Sequence, residues 1–411
     1  MDNRITGFVL MLLWLITVQT MGQSLAEIEK EAYEQNPLLE ALMLEYEAAA
    51  VKVDQVAVWQ GPQVTAAVPI LPVETRLGAQ RLKIGATQMF PWFGVADAKR
   101  EVFLSMSKER YEAARAKQLE IGYQVEVAYL RLYELEQKQA ILRKNIELFE
   151  SLERIALSKV ESGKANLSDV LRIQLKREEL ASRIQVMDNK KQYFTAELNK
   201  LRGRPIDTQI EVTDSFDLAL IELERTDILD QISEEHPSLK QIEWMIQSSN
   251  DRIKANDVSG KPSFGFGVEY ALVSPRTDAS PSNNGRDIFI PKISASIPLQ
   301  RKKFNDQNDE ERLRQLALDE HKTWILQSFE SELEQLLTDY RETLIEADLI
   351  RTQTELAGSA VEILLSAYSA EGKNIDELLQ LENELLALEI GWIEAIIDSQ
   401  ISKSGIKKIR G

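Results

Sequence analysis

His236 and His321 are the only histidines in a chain that has no cysteine. Without thiolates there is no disulfide framework, no thiolate metal site and no cysteine nucleophile, and two isolated histidines cannot build a histidine relay or a His-rich metal cage. The glycines form no phosphate-cradling loop, no nucleophile stands with a paired histidine, and the Asp/Glu pairs sit among Lys and Arg at helical spacing, the pattern of solvated faces. Residue chemistry therefore speaks against an enzyme, a resident metal and a cofactor. The formal net charge of -17 and the pI near 4.9 make nucleic acid a poor partner, because a phosphate backbone calls for a basic face.

If the chain does no chemistry, its layout must carry the function, and the layout occurs twice. A helix opens at Asn36-Pro37 and again at His236-Pro237, each copy then breaks at a proline (Pro62, Pro262), and Gly163-Lys164 and Gly372-Lys373 mark two far turns. The spacing predicts a first repeat over 23–203, with strands at about 63–89, a long helix at about 95–161 and a return helix at about 167–201. A linker follows (204–225), then a second repeat over 226–403 with strands at about 263–299, a long helix at about 304–370 and a return helix at about 375–403. The basic tail, 404–411, is expected to be loose. Residues 1–22 read as a signal peptide: Arg4 precedes an apolar run too short to span a membrane comfortably, and the small residues Thr20 and Gly22 suit cleavage before Gln23.

The long elements set the scale. Between about Val95 and Glu161 there is no proline and only Gly122, so one helix of about 65 residues, roughly 100 Å long, is expected. Its apolar positions (Val125, Ala128, Leu132, Leu135, Leu142, Ile146, Phe149, Ala156, Val160) repeat every 3.5 residues on average, a coiled-coil seam that also carries Gln139 and Glu153. Asn166 or Ser168 is placed to cap the return helix. Strand signals are period-two: Leu82, Ile84 and Ala86 alternate with Arg81, Lys83, Gly85 and Thr87. More clearly still, Phe264, Phe266, Val268, Tyr270 and Leu272 alternate with Ser263, Gly265, Gly267 and Glu269. Four such strands cannot close a membrane barrel alone, and an open edge in lipid leaves backbone groups unsatisfied, so either they form a small soluble sheet or several chains pool them; the signal peptide, the aromatic strand face and the long helices favour pooling.

The duplicated layout, the stretch QMFPWFG (Gln88 to Gly94) at the entry to the first long helix, and the turn motifs SGKANLSDVL (Ser162 to Leu171) and EGKNIDELLQ (Glu371 to Gln380) resemble the TolC-type outer-membrane efflux channels. The resemblance implies a mainly α protein with a membrane β-barrel contribution: a homotrimer with a twelve-stranded barrel in outer-membrane lipid and a long α-helical barrel in the periplasm. It implies docking to a periplasmic adaptor that serves an inner-membrane pump. On that basis Phe264, Phe266, Val268, Tyr270, Ile293 and Ile297 would face lipid, and Glu269 and Lys292 would line the pore. Gly163, Lys164, Leu171, Gly372, Lys373 and Leu379 match the adaptor-contacting tips. Asp376, Glu377 and Gln380 match the pore entrance, where Gln380 departs from the acidic pattern. The rival reading is an exported coiled-coil scaffold without a pore, which leaves the aromatic strand face without a purpose. Metal ions, small organic molecules and polypeptides all remain open as cargo.

Overall fold

The computed structural model describes residues 23–56, 58–71, 73–221, 224–371 and 374–411. The expected signal peptide and the Gly372-Lys373 turn lie outside them. The chain runs α1 (Leu25–Gln35), α2 (Pro37–Gln55), β1 (Gln63–Ala67), β2 (Val73–Thr75), β3 (Gly78–Phe90), α3 (Val95–Glu161) and α4 (Leu167–Leu201). It continues with α5 (Arg225–Glu235), α6 (Pro237–Ser259), β4 (Ser263–Val273), β5 (Ile288–Ser296), α7 (Arg301–Glu371) and α8 (Ile375–Arg410). The helix starts follow local rules. Ser24 and Glu27 exchange side-chain-to-backbone bonds as a capping box, Asn36 Oδ1 accepts from the N–H groups of Leu38 and Leu39, and His236 Nδ1 accepts from the Ser238 N–H at 3.1 Å. One of the two histidines is thus a helix cap.

Two compact units emerge, with α3 and α7 contributing to both. In the unit formed by residues up to Glu40, Lys117–Glu234 and Ser328–Gly411, cross-helix ion pairs run from α4 to α3 (Lys191–Glu136, 2.9 Å), from α3 to α8 (Arg131–Asp398, 3.0 Å) and from α8 to α7 (Lys408–Glu332, 2.6 Å). Leu142, Phe149 and Ala156 of α3, Ile173 and Leu180 of α4, Tyr368 of α7 and Leu378 of α8 form one buried core near the turns. Each fully buried Leu or Phe there contributes about 1.5–3 kcal/mol. The polar seam positions are satisfied across the helix pair. Gln139 donates to Asp188 at 2.7 Å, and Glu153 accepts from Gln174 at 2.6 Å and Arg177 at 2.8 Å. Gly122 is where the side chain of Tyr33 closes in, since a Cβ there would lie 2.2 Å from its hydroxyl.

In the other unit, Ala41–Ala116 and Glu235–Gln327, contacts run from α2 to α3 (Glu45–Arg110, 2.8 Å), from α3 to α6 (Ser105–Asp251, 2.7 Å) and from α6 to α7 (Ser249–Glu311, 2.8 Å). This unit also holds the sheet, an antiparallel array in the order β1-β3-β4-β5 with β2 paired to β3. β1 and β5 are its free edges, so the sheet is not closed within one chain.

Four expectations need correction. Five strands form, not four: the segment at about 63–89 holds three strands, with β2 lying between β1 and β3. Helix α5 was not anticipated. The second long helix starts at Arg301, ahead of the expected Phe304. The supposedly loose tail is the last two turns of α8, with Ile406 and Ile409 buried, Lys407 3.0 Å from Glu29, and Gly405 so close to Leu336 that a Cβ would lie 2.7 Å from it. Lys407 and Lys408 are helix-terminal charges with acidic partners, Glu29 and Glu126 for the first and Glu332 for the second.

Candidate functional site

The register of the sheet sorts its side chains into two chemically distinct faces. Val64 and Ala66 of β1 stand with Leu82, Ile84, Ala86, Gln88 and Phe90 of β3. These continue into Phe264, Phe266, Val268, Tyr270 and Leu272 of β4 and into Phe289, Pro291, Ile293 and Ala295 of β5. No charged residue occurs in that set, and most of its members are exposed, Phe266 at 57% and Ile293 at 79%, while Leu82, Ala86, Gln88 and Phe90 of β3 are half-buried. Ile297, expected on the same face, falls just past the end of β5 and is also exposed. Apolar area on this scale is costly in water and marks contact with another protein or with lipid.

The opposite face carries the charges among small and polar residues, with Met89, Ile288 and Ile290 as its large apolar members. Thr65, Gly85, Thr87, Gly265, Gly267, Ser294 and Ser296 flank a charged cluster in which Glu269 meets Lys292 at 2.9 Å and Lys83 at 2.7 Å. The expected pair Glu269 and Lys292 is therefore brought together, and Lys83 joins it unanticipated. Its alternation with Leu82 and Ile84 was the available signal.

Where strand passes to helix, aromatic rings gather. Trp59 packs edge-on to Phe90 at 5.0 Å, Phe90 lies 6.1 Å from Phe266, and Trp92 lies 5.7 Å from Phe264. Phe93 is 87% exposed, so this group is not an ordinary core cluster. At the other end of β4, Tyr270 donates to Asp287 at 2.6 Å, and Asp287 also accepts from the Val273 N–H.

The turn end of the helical unit holds the other expected residues. Gly163 has φ +72° and is exposed, as is Lys164, whose N–H donates back to the Lys159 carbonyl at 2.8 Å to close α3. Asn166 caps α4, Leu171 is exposed, and Leu379 is half-buried against the core. Asn374 takes the left-handed conformation (φ 68°) just before α8. Asp376 and Glu377 occupy the first turn of α8, where the helix dipole favours acids. Asp376 is paired with Arg172 of α4, a partner that the sequence did not reveal, Glu377 is exposed, and Gln380 donates to Glu384 at 3.2 Å. One helical turn further, Glu382 is almost fully buried; burial, and next the charge of Glu389, push its carboxyl up to about 7. Among the described residues no group of acids and histidines is arranged to hold a metal ion.

No protein-family model matches the chain, and no curated protein matches its sequence. Solved structures do match along almost its whole length. They include CusC, studied for folding and transmembrane channel formation (TM-score 0.76, 15% identity, 95% of this chain and 93% of that one). The outer-membrane channel OprN aligns with TM-score 0.75, 15% identity and coverage of 94% and 89%. The Campylobacter jejuni CmeC outer membrane channel gives 0.74, 14%, 94% and 85%. The chain has the TolC-type channel fold.

Proposed function

We propose that this chain is the outer-membrane channel component of a tripartite efflux system, three copies forming a duct that carries solutes from a periplasmic adaptor and inner-membrane pump to the exterior. The observation that carries the reading is the two-faced open sheet: an uncharged, largely exposed apolar face backed by one that holds the glycines and the Lys83–Glu269–Lys292 cluster, with β1 and β5 at its edges unpaired among the described residues. In lipid those edges must be paired. Because β1 runs parallel to β4 and therefore antiparallel to β5, the β5 edge of one copy can continue into the β1 edge of the next without breaking the alternation. Such a head-to-tail contact closes into a ring, and three copies give twelve strands of the main sheet, enough for an aqueous lumen. Strands β3, β4 and β5, of 13, 11 and 9 residues, suit a bilayer, which needs about 9–11 per strand.

The helices support the same arrangement. In the unit with the turns, α4 exposes Leu171, Leu175, Val186 and Tyr193, while α7 exposes Ile345, Leu349, Leu356 and Ile363, the last three at heptad spacing. Those apolar positions stay exposed on the described chain, as coiled-coil seams awaiting another copy would. The aromatic group at Trp59, Phe90, Trp92 and Phe93 then serves as an interfacial girdle. Phe264, Phe266, Val268, Tyr270, Ile293 and Ile297 meet lipid; Glu269 and Lys292 face the lumen. Gly163, Lys164, Leu171, Gly372, Lys373 and Leu379 meet the adaptor, and Asp376, Glu377 and Gln380 surround the entrance. Residues 1–22 direct export, and 23–203 and 226–403 are the two repeats.

Purified protein added to planar bilayers should give discrete conductance steps and require detergent for extraction. A protein that stays soluble without detergent and never conducts is instead an exported scaffold.

A further inference from the structure

On the polar face, between Leu82 and Phe90 of β3 and along β1, β4 and β5, the only charged side chains are Lys83, Glu269 and Lys292. Each oxygen of Glu269 takes one ammonium: Oε1 lies 2.7 Å from Lys83 Nζ and Oε2 2.9 Å from Lys292 Nζ. Two cations sharing one anion leave one net positive charge per copy, in a chain whose net charge is -17. Two of the cross-strand neighbours leave the cluster open, because Gly85 stands opposite Glu269 on β3 and Gly267 opposite Lys292 on β4, while Ile290 of β5 flanks Glu269 on its other side. Gly267 has no alternative, since a Cβ there would lie 2.6 Å from the Ala86 carbonyl oxygen. The shared carboxylate holds both lysine heads over the polar face, with Lys292 still about half exposed (54%).

We propose that this triad makes the sheet-walled part of the duct attractive to anions, so that the solutes it passes most readily carry carboxylate, phosphate or sulfate groups. The inference rests on the channel reading above, for without a lumen the triad is a surface ion pair. Inside a ring of copies the net positive charges repeat around a passage with low-dielectric walls, where field lines are focused and counter-ions concentrate. Glu269 then positions the lysines and tempers their charge, so that an anion is drawn in without being trapped.

The test is the reversal potential of the full-length protein in planar bilayers under a potassium chloride gradient. Wild-type channels should favour chloride, and E269Q, which raises the net charge of the triad from +1 to +2, should favour it more. The K83Q/K292Q double variant, which leaves Glu269 alone at -1, should shift the potential toward potassium by roughly twofold or more in permeability ratio. K83R/K292R should match wild type, separating charge from packing. A wild-type preference for potassium overturns the proposal, as does an unmoved potential in E269Q, which does not depend on the double variant inserting. Absence of any wild-type conductance contradicts the duct itself, and the triad proposal falls with it.

Discussion

Arg202, buried at the end of α4, directs its Nε and Nη2 at the same oxygen of Glu31 on α1, at 2.7 Å and 2.6 Å. Next to it Asn36 donates to the Leu201 carbonyl at 2.8 Å, and Gly203 takes φ +64° and passes so close that a Cβ would lie 2.5 Å from the Gln35 carbonyl oxygen. The return helix therefore ends against the junction of the first two helices. Removing one partner of a buried ion pair strands the other. Glu31→Ala should lower stability by about 3–5 kcal/mol, whereas Arg202→Met, after which Glu31 keeps Arg204 as a partner, should cost distinctly less. Denaturant midpoints of the two variants in detergent would show the order; equal midpoints would mean that Glu31 does not anchor this junction.

Glu382 supplies a pH signature. Its carboxyl, pushed up to about 7 by burial and by Glu389, prefers the protonated form in the folded state. The unfolded chain holds it near the ordinary value of about 4.3, so ionisation penalises the fold above pH 7, and the penalty fades as pH falls toward the ordinary value. With about 1.4 kcal/mol per pH unit between the two values, Glu382→Gln should stabilise by up to about 4 kcal/mol at pH 8 and change little at pH 4.5. Thermal midpoints of wild type and variant at both pH values check this; the same difference at both would assign the effect to packing.

Much of this was legible in the residues, and the losses have physical causes. The β4 alternation from Phe264 to Leu272 is legible because a strand that is buried differently on its two faces must repeat every second residue. The continuity of α3 is legible because proline is absent over its length and Gly122 alone does not break a helix. Strand β2 is too short to carry a period, and α5 is an ordinary amphipathic pair of buried residues, Ile228 and Ile232, among charges. The end of α8 was misread because its lysines find acids far away in sequence, Glu126 and Glu332, a pairing that local composition cannot express. Arg172 beside Asp376 and Lys83 beside Glu269 escaped for the same reason.

Phe266 stands near the middle of the apolar face, opposite Ile293 on β5 and Gln88 on β3. Phe266→Arg should weaken membrane assembly by about 2–4 kcal/mol if that face meets the lipid midplane. The fraction recovered as folded oligomer after extraction from membranes reports it, and undiminished recovery would turn the face away from lipid.

Glu377 is exposed on the first turn of α8, while its neighbour Asp376 is held by Arg172, which makes Glu377 the acid of the proposed entrance to test. Glu377→Lys should relieve block by multivalent cations added on the turn side of the bilayer. Identical block before and after would place this residue away from the constriction.

Ring closure by separate copies can be read covalently, because the wild-type chain has no cysteine. In one chain β1 and β5 are separated by β3 and β4, about 14 Å across three strand spacings, beyond the reach of a disulfide, which needs Cα atoms closer than about 7 Å. A panel of double variants, each with one cysteine at Val64, Thr65 or Ala66 and one at Ile293, Ser294 or Ala295, is oxidised in the membrane and run without reductant. Covalent trimers that still conduct after reconstitution are the expected result; bands that remain monomeric across the whole panel, from protein that is folded and inserted, would contradict it.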